Sequence, residues 1–342
     1  MKYIKVIAIG FVTLLCMCSF LFAGNEARIG TTGAEQLNIP VGAQSIATAG
    51  AFISTLTGVE SIYWNPAGLD RLGKSQAMVS YMNYIADINM TYIAISGSMG
   101  DLGSVALSIK TLDVGDIAET DVTNPDGTGA TFSPSFLVAG LTYSKTLTDR
   151  ISGGATVKFI HEGIMDLGAN GFAIDFGSQY HFTNNLTLGV TLKNIGSNMR
   201  FSGGDLEQKA DIAGANPTSD QGFFEAVTEK FSIPSTFQFG ASYRYDIGSN
   251  NALTFAGTFV NANEAENNFR FGVEYNLNDL LYVRGGYDVA TENTDESLFG
   301  FAFGAGLNYD IGGMNLQFDY AYRDVDVFDT NHVFTVKFGL GK

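Results

Sequence analysis

The stretch 298–311, LFGFAFGAGLNYDI, alternates without a break. Phe299, Phe301, Phe303, Ala305, Leu307, Tyr309 and Ile311 share one face, and Gly300, Ala302, Gly304, Gly306, Asn308 and Asp310 the other. Successive side chains of a β-strand point to opposite faces, so one face of this strand is apolar and the other small or polar. The pattern recurs in 236–245, where Phe237, Phe239, Ala241, Tyr243 and Tyr245 oppose Gln238, Gly240, Ser242 and Arg244. It recurs again in 315–323, where Leu316, Phe318, Tyr320 and Tyr322 oppose Asn315, Gln317, Asp319 and Arg323. A membrane-crossing strand needs roughly 9–11 tilted residues, which such runs supply. A soluble sandwich also alternates, with its apolar face against a sister sheet, so alternation alone leaves both architectures open.

Fourteen runs of this kind are expected, near 75–85, 90–99, 103–112, 135–147, 151–162, 170–182, 186–194, 235–246, 251–261, 268–276, 281–289, 298–310, 314–323 and 331–340. Their connections sort by length. Tight turns around 100–102, 148–150, 183–185, 248–250, 278–280 and 311–313 alternate with longer links at 113–134, 163–169, 195–234, 262–267, 290–297 and 324–330. Outer-membrane barrels place short turns on the periplasmic side and long loops outside, and bacterial ones have an even strand number. A sandwich has no reason to sort its loops. The expected fold is therefore all-β, a transmembrane antiparallel barrel of about 14 strands.

Composition agrees. Only 16% of residues are charged, against about 25% in soluble domains, while 13% are aromatic and 41 are glycine. Lys2 and Lys5 precede an uncharged apolar run, Val6 to Phe22, and Ala23 offers a small residue for cleavage, so 1–23 reads as a secretory signal peptide. Leu15 and Met17 before Cys16 and Cys18 do not suit lipoprotein processing. Both cysteines fall inside that signal, so the remaining chain holds no disulfide or thiolate metal site. Without Lys2 and Lys5 the net charge moves from −16 to −18, unsuited to nucleic acid or to an anionic surface.

Fourteen strands enclose a lumen too wide for wall side chains to fill. Residues 24–74 precede the barrel (75–342), are rich in Gly, Ala, Ser and Thr, and are expected to plug it. The single tryptophan, Trp64, leads there into Asn65, Pro66, Ala67 and Gly68, whose types suit a type I turn.

The segment GAEQLNIPVGAQSIATAGAFISTLTGVESIYWNPAGL (33–69) resembles the opening of the PorV/PorQ family, within the FadL-type barrels. Stretches 157–182, 188–201 and 316–340 resemble its middle and its closing hairpin, so the likeness spans nearly the whole chain after the signal. The closing Phe338-Gly-Leu-Gly-Lys342 departs from the terminal aromatic usual in such barrels. The resemblance implies that residues 64–68 form a plug turn, structural or gating rather than catalytic, with Asn65 bonded to the wall. It also implies a role in type IX secretion, binding or shuttling secreted proteins by their C-terminal sorting domains. FadL-type barrels otherwise imply the alternative, transport of hydrophobic, fatty-acid-like small molecules through a gap in the wall, with Gly153-Gly154, Gly285-Gly286 and Gly300, Gly304 and Gly306 as candidate weak points.

If the aromatic face meets lipid, the lumen receives Lys110, Lys158, Asp175, Lys193, Arg244, Arg270, Glu274, Arg284, Asp319 and Lys337. Two roles compete for these charges: pairing with each other and the plug, or attracting an anion. Acids gather on the long links instead, at Asp113, Asp116, Glu119, Asp121 and Asp126, at Glu292, Asp295 and Glu296, and at Asp324, Asp326 and Asp329. They read mainly as solvated faces, and the last three lack the spacing of a calcium loop. In the longest link, Phe201, Phe223, Phe224, Val227 and Phe231 are candidates for a partner surface or a lid, and 221–230 for a short amphipathic helix. His161, His181 and His332 lie far apart, and no phosphate loop is present, so neither an enzyme nor a cofactor is expected.

Overall fold

The computed structural model describes residues 30, 32–210, 222–263, 265–291 and 298–340. Fourteen antiparallel strands form one closed barrel: β1 (Ser75–Asn83), β2 (Asn89–Ser98), β3 (Ser104–Asp113), β4 (Ser135–Thr146), β5 (Ile151–Ile164), β6 (Leu167–His181), β7 (Leu186–Gly196), β8 (Thr236–Ile247), β9 (Asn251–Ala262), β10 (Asn268–Leu277), β11 (Leu281–Ala290), β12 (Phe299–Ile311), β13 (Met314–Val325) and β14 (Asn331–Leu340). Each pairs with its sequence neighbours, and β14 returns to β1 from Ser75↔Leu340 to Asn83↔His332. No strand end departs from the expectation by more than three residues.

The alternation sets the faces. Tyr81, Ile93, Leu107, Phe172, Phe255, Phe271, Phe301 and Phe334 are all exposed on the outside. An apolar surface this extensive is stable only against lipid.

Two links differ from expectation. Most of 163–169 is strand, because β5 and β6 run on past their neighbours and turn at Met165–Asp166. Phe201–Gly203 pairs with the β6 extension and supports it. Residues 222–225 are not helical either. They pair with 207–210 as a hairpin, as the β-favouring Phe223-Phe224 pair permits.

The described part of the N-terminal segment lies inside the barrel and follows the wall in strand order. The Ala43 N–H donates to Thr335 Oγ1 on β14, at 2.9 Å. Ala47 then meets Gly304 on β12, Thr48 meets Gly286 on β11, and Thr258 on β9 donates to the Ala51 carbonyl. Ile53 meets Gly240 on β8, Ser54 meets Gly189 on β7, Asn65 meets Gly177 on β6, and Pro66 meets Gly154 on β5. A Cβ on Gly286 would stand 2.3 Å from the Thr48 carbonyl carbon, and one on Gly154 2.5 Å from the carbonyl of Pro66. Inward glycines are therefore what lets one backbone lie directly on another. Gly154, Gly286 and Gly304, expected as weak points of the wall, make room for the segment instead. On the remaining side the segment's Val41, Ile46 and Ile62 share one buried cluster with Met78, Met82 and Met90 of β1 and β2.

Candidate functional site

The Trp-Asn-Pro-Ala-Gly stretch ends one helical turn, Ser61–Trp64, and begins another, Pro66–Gly68. Asn65 is extended, and its Oδ1 accepts from the Ala67 N–H at 3.2 Å, capping a turn whose first residue is the conformationally preset Pro66. Its Nδ2 donates to the carbonyls of Ile53 (2.9 Å) and Ser178 (3.1 Å), the second on β6. Trp64 Nε1 donates to the Val41 carbonyl at 2.9 Å. Gly68 has no space for a side chain, since its Cβ would fall 2.0 Å from the Leu56 carbonyl oxygen. The motif thus ties three parts of the luminal segment to the wall.

Lumen charges form two main groups. A buried chain runs from the segment through the wall: Glu60 to Lys337 (2.7 Å), Lys337 to Asp319 (3.3 Å), Asp319 to Arg284 (2.6 Å) and Arg284 to Glu274 (2.6 Å). Glu60 also accepts from the Ser45 N–H and hydroxyl. Gly306 admits the pair beside it, because a Cβ there would meet Asp319 and Arg284. The second group gathers Lys110, Lys158 and Lys193 around Asp175 and Tyr63. Lys158 pairs with Asp175 at 2.6 Å. That pair clasps a bulge in β7, where Lys193 and Asn194 both turn inward: Asn194 receives the Lys158 ammonium proton at 2.7 Å and gives its N–H to Asp175 at 2.7 Å. Arg270 pairs separately with Asp288 at 3.0 Å. Arg244 departs from the lumen expectation. Its phase is inward, but β8 has passed the barrel rim there, and the side chain is 51% exposed and paired with Asp246.

Above the segment, in the half of the lumen that carries the long loops, lies an open cavity of about 510 Å³. Its floor is Ile46, Ala49, Tyr63 and Trp64, and its walls come from β7 to β13, including Val260, Phe299 and Ala302. Tyr63 and Trp64 meet edge to face, 5.2 Å between centroids. Lys193, 4% exposed, reaches the cavity with no carboxylate within salt-bridge distance among the described residues; its ammonium stands 3.6 Å from the Tyr63 ring centre. Arg323 stacks 3.3 Å from the Phe299 ring centre, and its Nη1 has no hydrogen-bond partner among the described residues.

The β11–β12 ladder ends early beside this cavity. β11 and β12 pair from Leu281↔Leu307 only as far as Tyr287↔Phe301, while Asp288–Ala290 pair only with β10 among the described residues. Across the seam the β12–β13 register slips between Phe299 and Ala302.

On the loops, Phe201 and Phe231 pack together and over Met199, close to Ala34 and Leu37, so they cover the lumen. Phe223, Phe224 and Val227 are exposed. Asp121 organises its own turn: hydrogen bonds from Thr123 and Asn124 hold its carboxyl down at about 2. The acids at 292, 295 and 296 lie outside the described residues. Among the described residues no three His, Cys, Asp or Glu side chains gather as metal ligands do.

Several residues central to this arrangement lie beyond the candidates named from the sequence. Glu60 is the only charged residue between Gln36 and Leu69, and that isolation is its signal. Arg323 shares the parity of Asp319 and could be read inward on that ground. Asp288 shares the parity of Arg284 in the same way, whereas Tyr63 carries no such mark.

Neither a protein-family model nor a curated protein matches the chain. Solved structures do. The chain is similar to the CymD monoaromatic hydrocarbon channel (11% identity, TM-score 0.56, covering 89% of this chain and 98% of that one). It is similar also to the Ralstonia pickettii toluene transporter TbuX (12%, 0.55, 88% and 98%) and to a Pseudomonas aeruginosa FadL homologue (11%, 0.51, 89% and 99%). The chain has the fold of FadL-type outer-membrane channels.

Proposed function

We propose that this chain is an outer-membrane channel for hydrophobic small molecules, with the luminal segment acting as its plug. The cavity carries the reading: it is open toward the long loops, floored by Tyr63 and Trp64, and walled by apolar groups mixed with cations (Lys193, Arg270, Arg323) and carboxylates (Glu35, Glu266, Asp288). A pocket of such size and lining suits a small apolar ligand with few polar groups. The β11–β12 seam supplies a sideways route from cavity to bilayer, which a hydrophobic solute takes more readily than water. Lys193 is the group suited to hold a polar or anionic end of the solute; Arg284 is committed to its ion pairs and Arg244 lies outside the lumen.

A protein-shuttling role, implied by the resemblance of 33–69 to PorV and PorQ, rests on the exposed Phe223, Phe224 and Val227 alone. The channels whose fold this chain shares favour the small-molecule reading. The test is binding. Full-length chain in lipid nanodiscs is titrated with toluene while Trp64 emission is followed. Saturable change, lost in Val260→Phe, is expected; an unresponsive Trp64 rejects the cavity as the binding site.

A further inference from the structure

Tyr63 lines two spaces. One is the open cavity; the other is an enclosed void of about 20 Å³ between segment and wall, lined also by Lys110, Lys158, Tyr92, Ser108 and Thr156. The charges around this void do not balance. Lys110 and Lys158 are 4% and 6% exposed, and among the described residues Asp175 is the only carboxylate paired with either of them. Lys110 donates to the Ile39 carbonyl at 3.0 Å and stands 4.8 Å from the Tyr63 ring centre. The ring face attracts both Lys110 and Lys193 but carries no net charge. An ammonium has three donors. Lys110 uses one on a described partner, and Lys158 uses two, on Asn194 and Asp175. Two buried lysines, each with more donors than described partners, thus line one small space.

We infer that this void binds a single monatomic anion of halide size between Lys110 and Lys158. Buried charge is costly unless compensated, and the void holds one water-sized occupant, too little for a carboxylate, sulfate or phosphate. The bound anion brings the local charge closer to balance. It also ties the segment to the wall, since Ile39 and Tyr63 belong to the segment while Lys110 and Lys158 belong to β3 and β5. The site is separate from the transport cavity and does not depend on the transport reading.

Crystals of the full chain grown in bromide, measured at the bromine absorption edge, test the site directly. An anomalous peak between the two ammonium groups is expected, and its loss in Lys110→Met. Water density with no anomalous signal overturns the inference. A second measurement keeps the test independent of crystals. In detergent at fixed ionic strength, Tm should rise saturably as chloride replaces gluconate. Lys110→Met should abolish that rise, and Lys193→Met, which faces the other space, should preserve it. Equal Tm in both salts overturns the inference as well.

Discussion

Lys337→Met attacks the joint between segment and wall. The substitution keeps an apolar stem of similar length but strands Glu60, which is wholly buried, with the Ser45 N–H and hydroxyl as its remaining donors among the described residues. Asp319 keeps Arg284 at 2.6 Å and Gln317 at 2.9 Å, so the loss concentrates on Glu60. Removing one partner of a buried pair costs about 3–5 kcal/mol, because the remaining charge is uncompensated. Glu60→Gln is milder: its amide oxygen still accepts from Ser45, and Lys337 keeps Asp319 at 3.3 Å and the Gln44 side-chain Oε1 at 2.6 Å. Its expected cost is about 1.5–3 kcal/mol, that of one hydrogen bond to a charged group. In the double variant no stranded carboxylate remains, so it should be no less stable than Lys337→Met alone. The probe is built in. Trp64, the single tryptophan, lies in the segment, so its emission in urea follows release of the segment, while heat-modifiable gel mobility follows the barrel. Release at lower urea with unchanged barrel mobility is expected. If the two substitutions simply add, the ion pair does not couple segment to wall and the reasoning fails.

Other outcomes follow from the same contacts. Gly286→Val should displace the segment and red-shift Trp64 emission, whereas Gly153→Ala, whose Cβ has nothing nearer than 3.9 Å, should not. Asn65→Ala removes the donor to the Ser178 carbonyl, one of two to the Ile53 carbonyl, which keeps Gln179 Nε2 at 3.2 Å, and a cap; segment release, read in urea, should become easier by about 1–3 kcal/mol. Lys193→Met should weaken binding of a long-chain carboxylate in nanodiscs several-fold and leave toluene binding unchanged. Equal effects on both ligands would show that Lys193 does not recognise charge.

The wall is legible because its rules are local. Alternation in 298–311 and 315–323 fixes strand and face together, and turn residues such as Asn278-Asp279, both at positive φ, fix the short ends. The lumen is legible only by parity. Parity brings Lys337, Asp319 and Arg284 inward but cannot say that they touch, or that Glu60 completes the chain, since such contacts depend on the path of a segment without period. It also misleads at Arg244, because phase carries no information on height. The glycines show the same limit. A sequence presents Gly154 and Gly286 as permissive positions; only the fold reveals a backbone lying against them. The 222–225 strand was hidden by polar neighbours that suit a helix equally well.

The most direct test of the channel is uptake. Radiolabelled toluene is given to bacterial cells that lack other hydrophobic-solute channels and carry the full chain in the outer membrane. The account predicts faster entry than in cells without the chain, and loss of that gain in Ala302→Phe, whose buried side chain lines the cavity beside the β11–β12 seam, while a heat-modifiable barrel remains. Entry no faster than in cells without the chain would contradict it.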